Sequence, residues 1–280
     1  VRPADLHVPD GSGASEALAR TTDLGVVAHP DDLELLAMAA IGQCAADEHR
    51  WFTGIVCTDG AGSTRSGQAA GLTDRELIAA RREEQIRAAD LGGYSAVALL
   101  GRPSGHVRSP DGFESLVGEL AALLEQTRPV NVYTHNLADK HPTHVAVGCA
   151  VVRAIRSLAP QQRPARLVGC EGWRDLDWLD DHEKVRLDVT PFAELAEGLV
   201  AVFRTQIEGG KRFDLAAAGR RRANAVFDDP REPDACDEVT VAMDLAPLIV
   251  NDDLDPVAYV TSAIDRFRAD VDRRLRQYFA

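Results

Sequence analysis

Along the first two hundred residues, short apolar runs alternate with stretches in which apolar side chains return every three or four positions. The runs at 24–28, 52–58, 96–100, 130–134 and 166–170 have the length and composition of buried strands. Between them, helical spacing extends over 33–46, 73–91, 112–126 and 143–158, and the Leu-Gly-Gly at 91–93 supplies a C-terminal stop. This alternation predicts an α/β fold, a Rossmann-like and mostly parallel sheet flanked by helices, with a C-terminal helical extension. After Pro191 the pattern turns more helical, in PFAELAEGLVAVFRTQI and KRFDLAAAGRRRANAV. DDPREPDACDE is a turn-rich break, and EVTVAMDL is a candidate late strand. In the last segment Val257, Val260, Ile264, Phe267, Val271 and Leu275 form one apolar stripe of a helix. The stripe reads as packing on the body of the protein, with a subunit interface in a homo-oligomer as the sharper alternative.

The chain is read as three segments: a loose leader over 1–20, an α/β domain over 21–210, and an extension over 211–280 packing on that domain. The leader has no apolar core of the kind a secretory signal needs. No run of about 18 apolar residues exists, so a membrane-spanning helix is not expected. A net charge of −13 argues against a nucleic-acid or anionic membrane partner. The five cysteines, at 44, 57, 149, 170 and 236, are widely spaced, odd in number and without a CxxC pair. That usage fits free thiols in a reducing cytoplasm better than a disulfide framework or a thiolate zinc site.

Two polar clusters interrupt this scaffold where a strand gives way to a helix, the edge at which open α/β folds place ligands. The first is HPDD at 29–32, after the first strand. The second, THNLADKHPTHVAVG, follows the fourth strand and holds His135, Asp139, His141 and His144. Pro142 there suits the first turn of a helix. His29 and Asp32, three apart, can reach one ion, and a further histidine from the second cluster completes a three-ligand zinc site with a position left for water. Asp31 is then the natural base for that water, because Asp32 is spent as a ligand. Taken alone, HPDD reads equally as an Asp N-cap after a proline turn, and HPTH as a helix start. Their matching strand contexts favour a site.

These residues resemble the LmbE-like (PIG-L) deacetylase superfamily, zinc enzymes acting mainly on N-acetylglucosamine conjugates. The family motif AHPDDxE is met by AHPDDLE at 28–34, and D-x-H-P-D-H by DKHPTH at 139–144, with the spacing between them in agreement. Weaker marks are TDGAG from Thr58, RREE at 81–84 before LGG, and LDVT at 187–190 followed by FRTQI from Phe203. The likeness covers about residues 20–210. It implies His29, Asp32 and His144 as ligands of Zn2+, or of another divalent ion, and Asp31 as general base. His141 is implied as a protonated histidine that stabilises the oxyanion. Arg81 holds the place of a substrate-binding arginine, with a surface ion pair on its own helix as the alternative. Glu34 fits a partner for a ligand, or a helix cap, and Asp139 either orients His141 or caps the turn.

The departures leave the substrate open. Thr143 stands where the family has aspartate. The mycothiol branch has a tyrosine in a GYGHPDH run, whereas this chain reads LADKHPTH. An aspartate that grips sugar hydroxyls in relatives is absent from LGRPSG at 100–105. The expected activity is removal of an N-acetyl or other N-acyl group from an amino sugar or glycoconjugate, and the expected partner is that small molecule. An amidase acting on a larger conjugate, such as a thiol S-conjugate or a glycosylated natural product, is the alternative. A non-enzymatic signalling module with an acidic metal pocket accounts for HPDD only. TDGAGSTRSG lacks the GK[ST] ending of a phosphate loop, and no GxGxxG follows the first strand.

Overall fold

A single eight-stranded sheet runs through the protein in the computed structural model, which describes residues 5–227 and 231–279. Its strands are β1 (Leu6–His7), β2 (Asp23–Val27), β3 (Phe52–Thr58), β4 (Ala96–Arg102), β5 (Asn131–His135), β6 (Arg166–Cys170), β7 (Lys184–Asp188) and β8 (Val239–Asp244). The spatial order is β1-β4-β3-β2-β5-β6-β8-β7. The strands β4, β3, β2, β5 and β6 are parallel neighbours. β1 and β8 are antiparallel to the strands beside them, so the sheet is mixed, with the expected parallel part at its centre.

Burial on both faces explains why the central strands read as continuous apolar runs. Leu24 and Val26 of β2 face one core, built on the helices Pro110–Thr127 and Pro142–Ser157. Val27 faces the other, built on Met38–Ala46, Asp74–Leu91 and Ala193–Ala201. Local chemistry sets the helix starts. Thr73 and Glu76 form a reciprocal capping box ahead of Asp74–Leu91. Ser109 caps Pro110–Thr127, and Pro110 occupies its first turn, two residues before the expected start.

Several expectations need correction. The helix expected over 33–46 is two helices, Asp32–Leu36 and Met38–Ala46, separated at Ala37. The residues around Ala37 give no reason for the break. The leader is not loose over residues 5–20. Leu6–His7 pairs with β4, and the helix Ala14–Ala19 buries Ala17 and Leu18. Arg82 donates to both carboxylate oxygens of Asp5, fastening the segment to the helix Asp74–Leu91. At the other end, β8 lies between β6 and β7, so the sheet continues past position 210. β7 itself was not predicted.

The final helix, Pro256–Phe279, buries only Val260 and Ala263. Val257, Ile264, Phe267, Val271 and Leu275 of the expected stripe are exposed, so it packs on the body through its first turns alone. All five cysteines are free. None of the helices among the described residues is long and apolar enough to cross a membrane.

Candidate active site

The strand order reverses between β2 and β5: β3 and β4 lie on one side, β6 on the other. Ligands of doubly wound sheets bind at such a switch point, beyond the carboxyl ends of the strands. The HPDD turn leaves β2 there and the DKHPTH turn leaves β5. Leu33 fixes the first turn from below. A Cβ on Gly25 or on Gly54, paired residues of β2 and β3, would come within 2.6 or 2.5 Å of its side chain. Helix Pro142–Ser157 is drawn onto the end of β5 in the same way, where a Cβ on Gly148 would sit 2.8 Å from the His135 carbonyl oxygen.

Asp31 adopts φ 91°, a left-handed conformation that costs a non-glycine residue about 1–3 kcal/mol. Its N–H donates to Oε1 of Gln85 at 3.2 Å. Gln85 Nε2 donates to Oε1 of Glu34 at 2.8 Å, and the Tyr94 hydroxyl donates to the same oxygen at 2.7 Å. Glu34 therefore braces the backbone of Asp31 through Gln85 and partners no candidate ligand, which corrects the expectation for that residue. Burial raises its carboxyl to about 7 against the hydrogen bonds from Tyr94 and Gln85.

Three candidate donors converge. His29 Nδ1 lies 3.1 Å from Asp32 Oδ2 and 3.2 Å from His144 Nε2, and His144 Nε2 lies 3.5 Å from Asp32 Oδ2. Bonds of about 2.0–2.1 Å at tetrahedral angles place donors about 3.3 Å apart, so the triangle fits a zinc-sized divalent ion. His144 Nδ1 is 3.2 Å from Asp139 Oδ2, which fixes the ring with Nε2 free to bind. The Asp139 carboxylate thus orients His144. It meets His141 only at the backbone N–H, through Oδ1 at 2.7 Å. Gly172 permits the pairing, since a Cβ there would lie 2.7 Å from Asp139 Oδ2.

Two other groupings around His144 are close enough to hold an ion: His29 with His141 and His144, and Asp32 with His135 and His144. In the second, His135 Nε2 accepts the N–H of Ala28 at 2.8 Å. Its lone pair is engaged, and burial and the neighbouring His144 hold the ring well below the ordinary histidine range.

Charge is distributed unevenly over the two aspartates. Burial pushes the Asp31 carboxyl well above the usual range, against the pull of Arg81 and with the repulsion of Asp32. Asp32 is equally buried, yet His144 and the hydrogen bond from His29 hold it well below that range. Burial would lower His144, but Asp32 and the hydrogen bond to Asp139 outweigh it and raise the ring. His141 is pushed down to about 4 by burial and by the His144 and His29 rings beside it. That shift favours the neutral ring, where the resemblance implies a protonated one.

Arg81 is buried, with Nη2 3.2 Å from Asp31 Oδ1. Its guanidinium also donates to Pro30 O, Gly60 O and Ser63 Oγ. Gly60, at φ +70°, leaves the space it occupies. The alternative of a surface ion pair with Glu84 fails, because Glu84 accepts from the backbone and hydroxyl of Thr205.

A cleft of ≈ 450 Å³ opens over the donors, bordered by Asp31, Arg81, His141, Thr143, Arg108 and Lys211 among others. Trp173 and Phe213 line it too, and sequence reasoning missed both. Trp173 follows the carboxyl end of β6, so the rule that exposed the other two turns also applied to EGW at 171–173. Lys211 precedes, and Phe213 begins, the helix Phe213–Val226, and neither carries such a signal.

Residues 24–155 match the family described as PIG-L: GlcNAc-PI de-N-acetylase. No curated protein matches the chain. Among solved structures, the conserved protein TT1542 from Thermus thermophilus is similar with a TM-score of 0.63 at 21% identity, over 80% of this chain and 94% of that one. N,N'-diacetylchitobiose deacetylase from Pyrococcus horikoshii gives 0.62 at 18% identity, over 86% and 88%. GalB, the 4-carboxy-2-hydroxymuconate hydratase from Pseudomonas putida, also gives 0.62 at 18%, over 80% and 96%. A deacetylase and a hydratase share this fold, so chemistry has to be argued from the site.

Proposed function

We propose that this chain, whose residues 24–155 belong to the PIG-L family, is a zinc-dependent hydrolase that removes an N-acetyl or other N-acyl group from an amino sugar or glycoconjugate of the N-acetylglucosamine type. The observation that carries the reading is the triangle of His29 Nδ1, Asp32 Oδ2 and His144 Nε2 beside the buried carboxyl of Asp31. Those three residues would hold the ion. Zinc bound there supplies a Lewis acid that polarises the acyl carbonyl and acidifies a water molecule.

The rest is done by the chain. Asp31 takes the proton of the attacking water and returns it to the leaving amine, a role suited to a carboxyl that burial raises above the usual range. Arg81 holds the Asp31 carboxylate in place, and its position on the cleft wall also supports a substrate contact. His141, neutral, donates a hydrogen bond to the developing oxyanion. Asp139 keeps the His144 tautomer fixed. The polar border of the cleft suits a sugar better than an apolar amine, because hydroxyls left unpaired on burial are costly.

Screening N-acetylglucosamine derivatives against larger amides, with acyl loss read by mass spectrometry and with and without added Zn2+, tests the proposal. Metal-dependent release of acetate or a longer acid supports it, and intact substrates under both conditions overturn it. Turnover confined to thiol S-conjugates or glycosylated natural products would move the assignment to the larger-conjugate amidase. Free cysteines support a cytoplasmic setting for the reaction.

A further inference from the structure

Two chambers meet at the donor triangle. One is the polar cleft. The other, of ≈ 220 Å³, also reaches Asp32 and His144, with walls that include Leu35, Leu36, Ala217 and Val241. Trp173 and Phe213 border both, their rings edge to face with centroids 5.9 Å apart. An acetyl group asks for only one methyl beyond the carbonyl. The second chamber has room for about seven groups the size of a water molecule.

The residues of its wall also carry three buried polar atoms without a hydrogen-bond partner, Glu171 Oε1, Thr240 Oγ1 and Arg221 Nη1. The other carboxylate oxygen of Glu171 accepts from Arg220 at 2.5 Å, and Arg220 donates to the Gly172 carbonyl at 2.8 Å. Glu171 is thus held in place with one oxygen to spare. Buried side-chain atoms seldom stay unpaired, and a small turn of the Thr240 or Glu171 side chain toward the chamber would pair its oxygen with a polar atom of a ligand lying there.

We propose that the second chamber receives the acyl chain of the substrate, and that this chain is longer than acetyl, about five to eight carbons, and carries a hydroxyl or similar hydrogen-bonding group. The inference rests on the deacylase reading, which sets the scissile carbonyl at the donor triangle with the amine half in the polar cleft. The reverse orientation would press sugar hydroxyls against Leu35 and Leu36. Hydrolysis breaks the amide C–N bond and joins the water oxygen to the acyl carbon, and the proton leaves on the amine. The free acid remains in the second chamber.

The test uses N-acylglucosamines bearing acetyl, butanoyl, hexanoyl, octanoyl and 3-hydroxyhexanoyl groups, with calorimetric titration of the corresponding free acids. The expected result is a kcat/KM that rises about fourfold per methylene until the chamber is full, with 3-hydroxyhexanoyl above hexanoyl. Acid affinity should climb with chain length in parallel. Ala217→Trp should fill the chamber and push the hexanoyl-to-acetyl ratio below one. Thr240→Val should keep the length dependence and lose the hydroxyl advantage. Acetyl preferred at every length, with acid affinities flat in wild type, overturns the proposal. If no amide is cleaved, the deacylase reading fails and calorimetry alone decides on the chamber. Affinity that climbs with length and is lost in Ala217→Trp supports it, and flat affinity rejects it.

Discussion

Oδ1 of Asp31 lies 3.2 Å from Nη2 of Arg81, and both side chains are nearly excluded from solvent. A carboxylate in that position is placed by its backbone and held by its partner, while the adjacent Asp32 faces the histidines. Asp31→Asn keeps the size and tolerates the left-handed backbone, but it cannot accept a proton. The expected outcome is a loss of about 10²–10⁴ in kcat with zinc content unchanged by elemental analysis. His144→Ala should lose turnover and metal together. Wild-type rates in both variants would remove Asp31 and His144 from the mechanism.

Asp139 touches His144 at Nδ1, on the side of the ring away from the donor triangle. Asp139→Asn retains the shape and withdraws the negative charge that favours the Nδ1-protonated tautomer. Metal affinity should fall about 10–100-fold, measured by competition with a chelating dye. At saturating Zn2+ most of kcat should return, because the carboxylate touches no reacting atom. A kcat that stays low in saturating metal would assign Asp139 a more direct part.

Glu34 ties stability to pH. Its carboxyl is raised to about 7 in the folded protein from 4.5, so unfolding releases a proton between those values. Folding stability therefore declines as pH rises through that window. Glu34→Gln mimics the protonated acid, because its Oε1 still accepts from Gln85 and Tyr94. Urea unfolding of metal-free protein between pH 5 and 7.5 should show wild type losing stability and the variant holding a flatter profile. Parallel profiles would mean that Glu34 is ionised throughout.

The positions of the central strands and the two polar turns were legible because both report burial and strand-to-helix punctuation, which are local. Phe52–Thr58 and Arg166–Cys170 were read to the residue. What escaped depends on partners distant in sequence. β7 has an alternating, half-exposed pattern and gains its place from β8. The short β1 exists through β4. The roles of Glu34 and Asp139 turned on which neighbour each carboxylate met, and no spacing rule distinguishes Gln85 from a metal ligand. His141 carries no local mark of its protonation state, because its shift comes from burial and from two imidazoles brought beside it by the fold.

Gly25 and Gly54 lie side by side on β2 and β3, and Leu33 rests on both. Gly54→Ala would place a methyl 2.5 Å from a Leu33 terminal carbon. A fully buried leucine has little room to withdraw, so the helix start has to lift and carry Asp31 and Asp32 with it. Overpacking of this kind costs about 1–3 kcal/mol, readable as a lower urea midpoint at constant m. The same shift should weaken zinc binding although no ligand has changed. Adding Leu33→Ala removes the clash, so the double variant should recover metal affinity and retain a stability deficit from the lost leucine. Failure of that rescue would show that Gly54 serves the strand alone and that Leu33 does not carry the metal site.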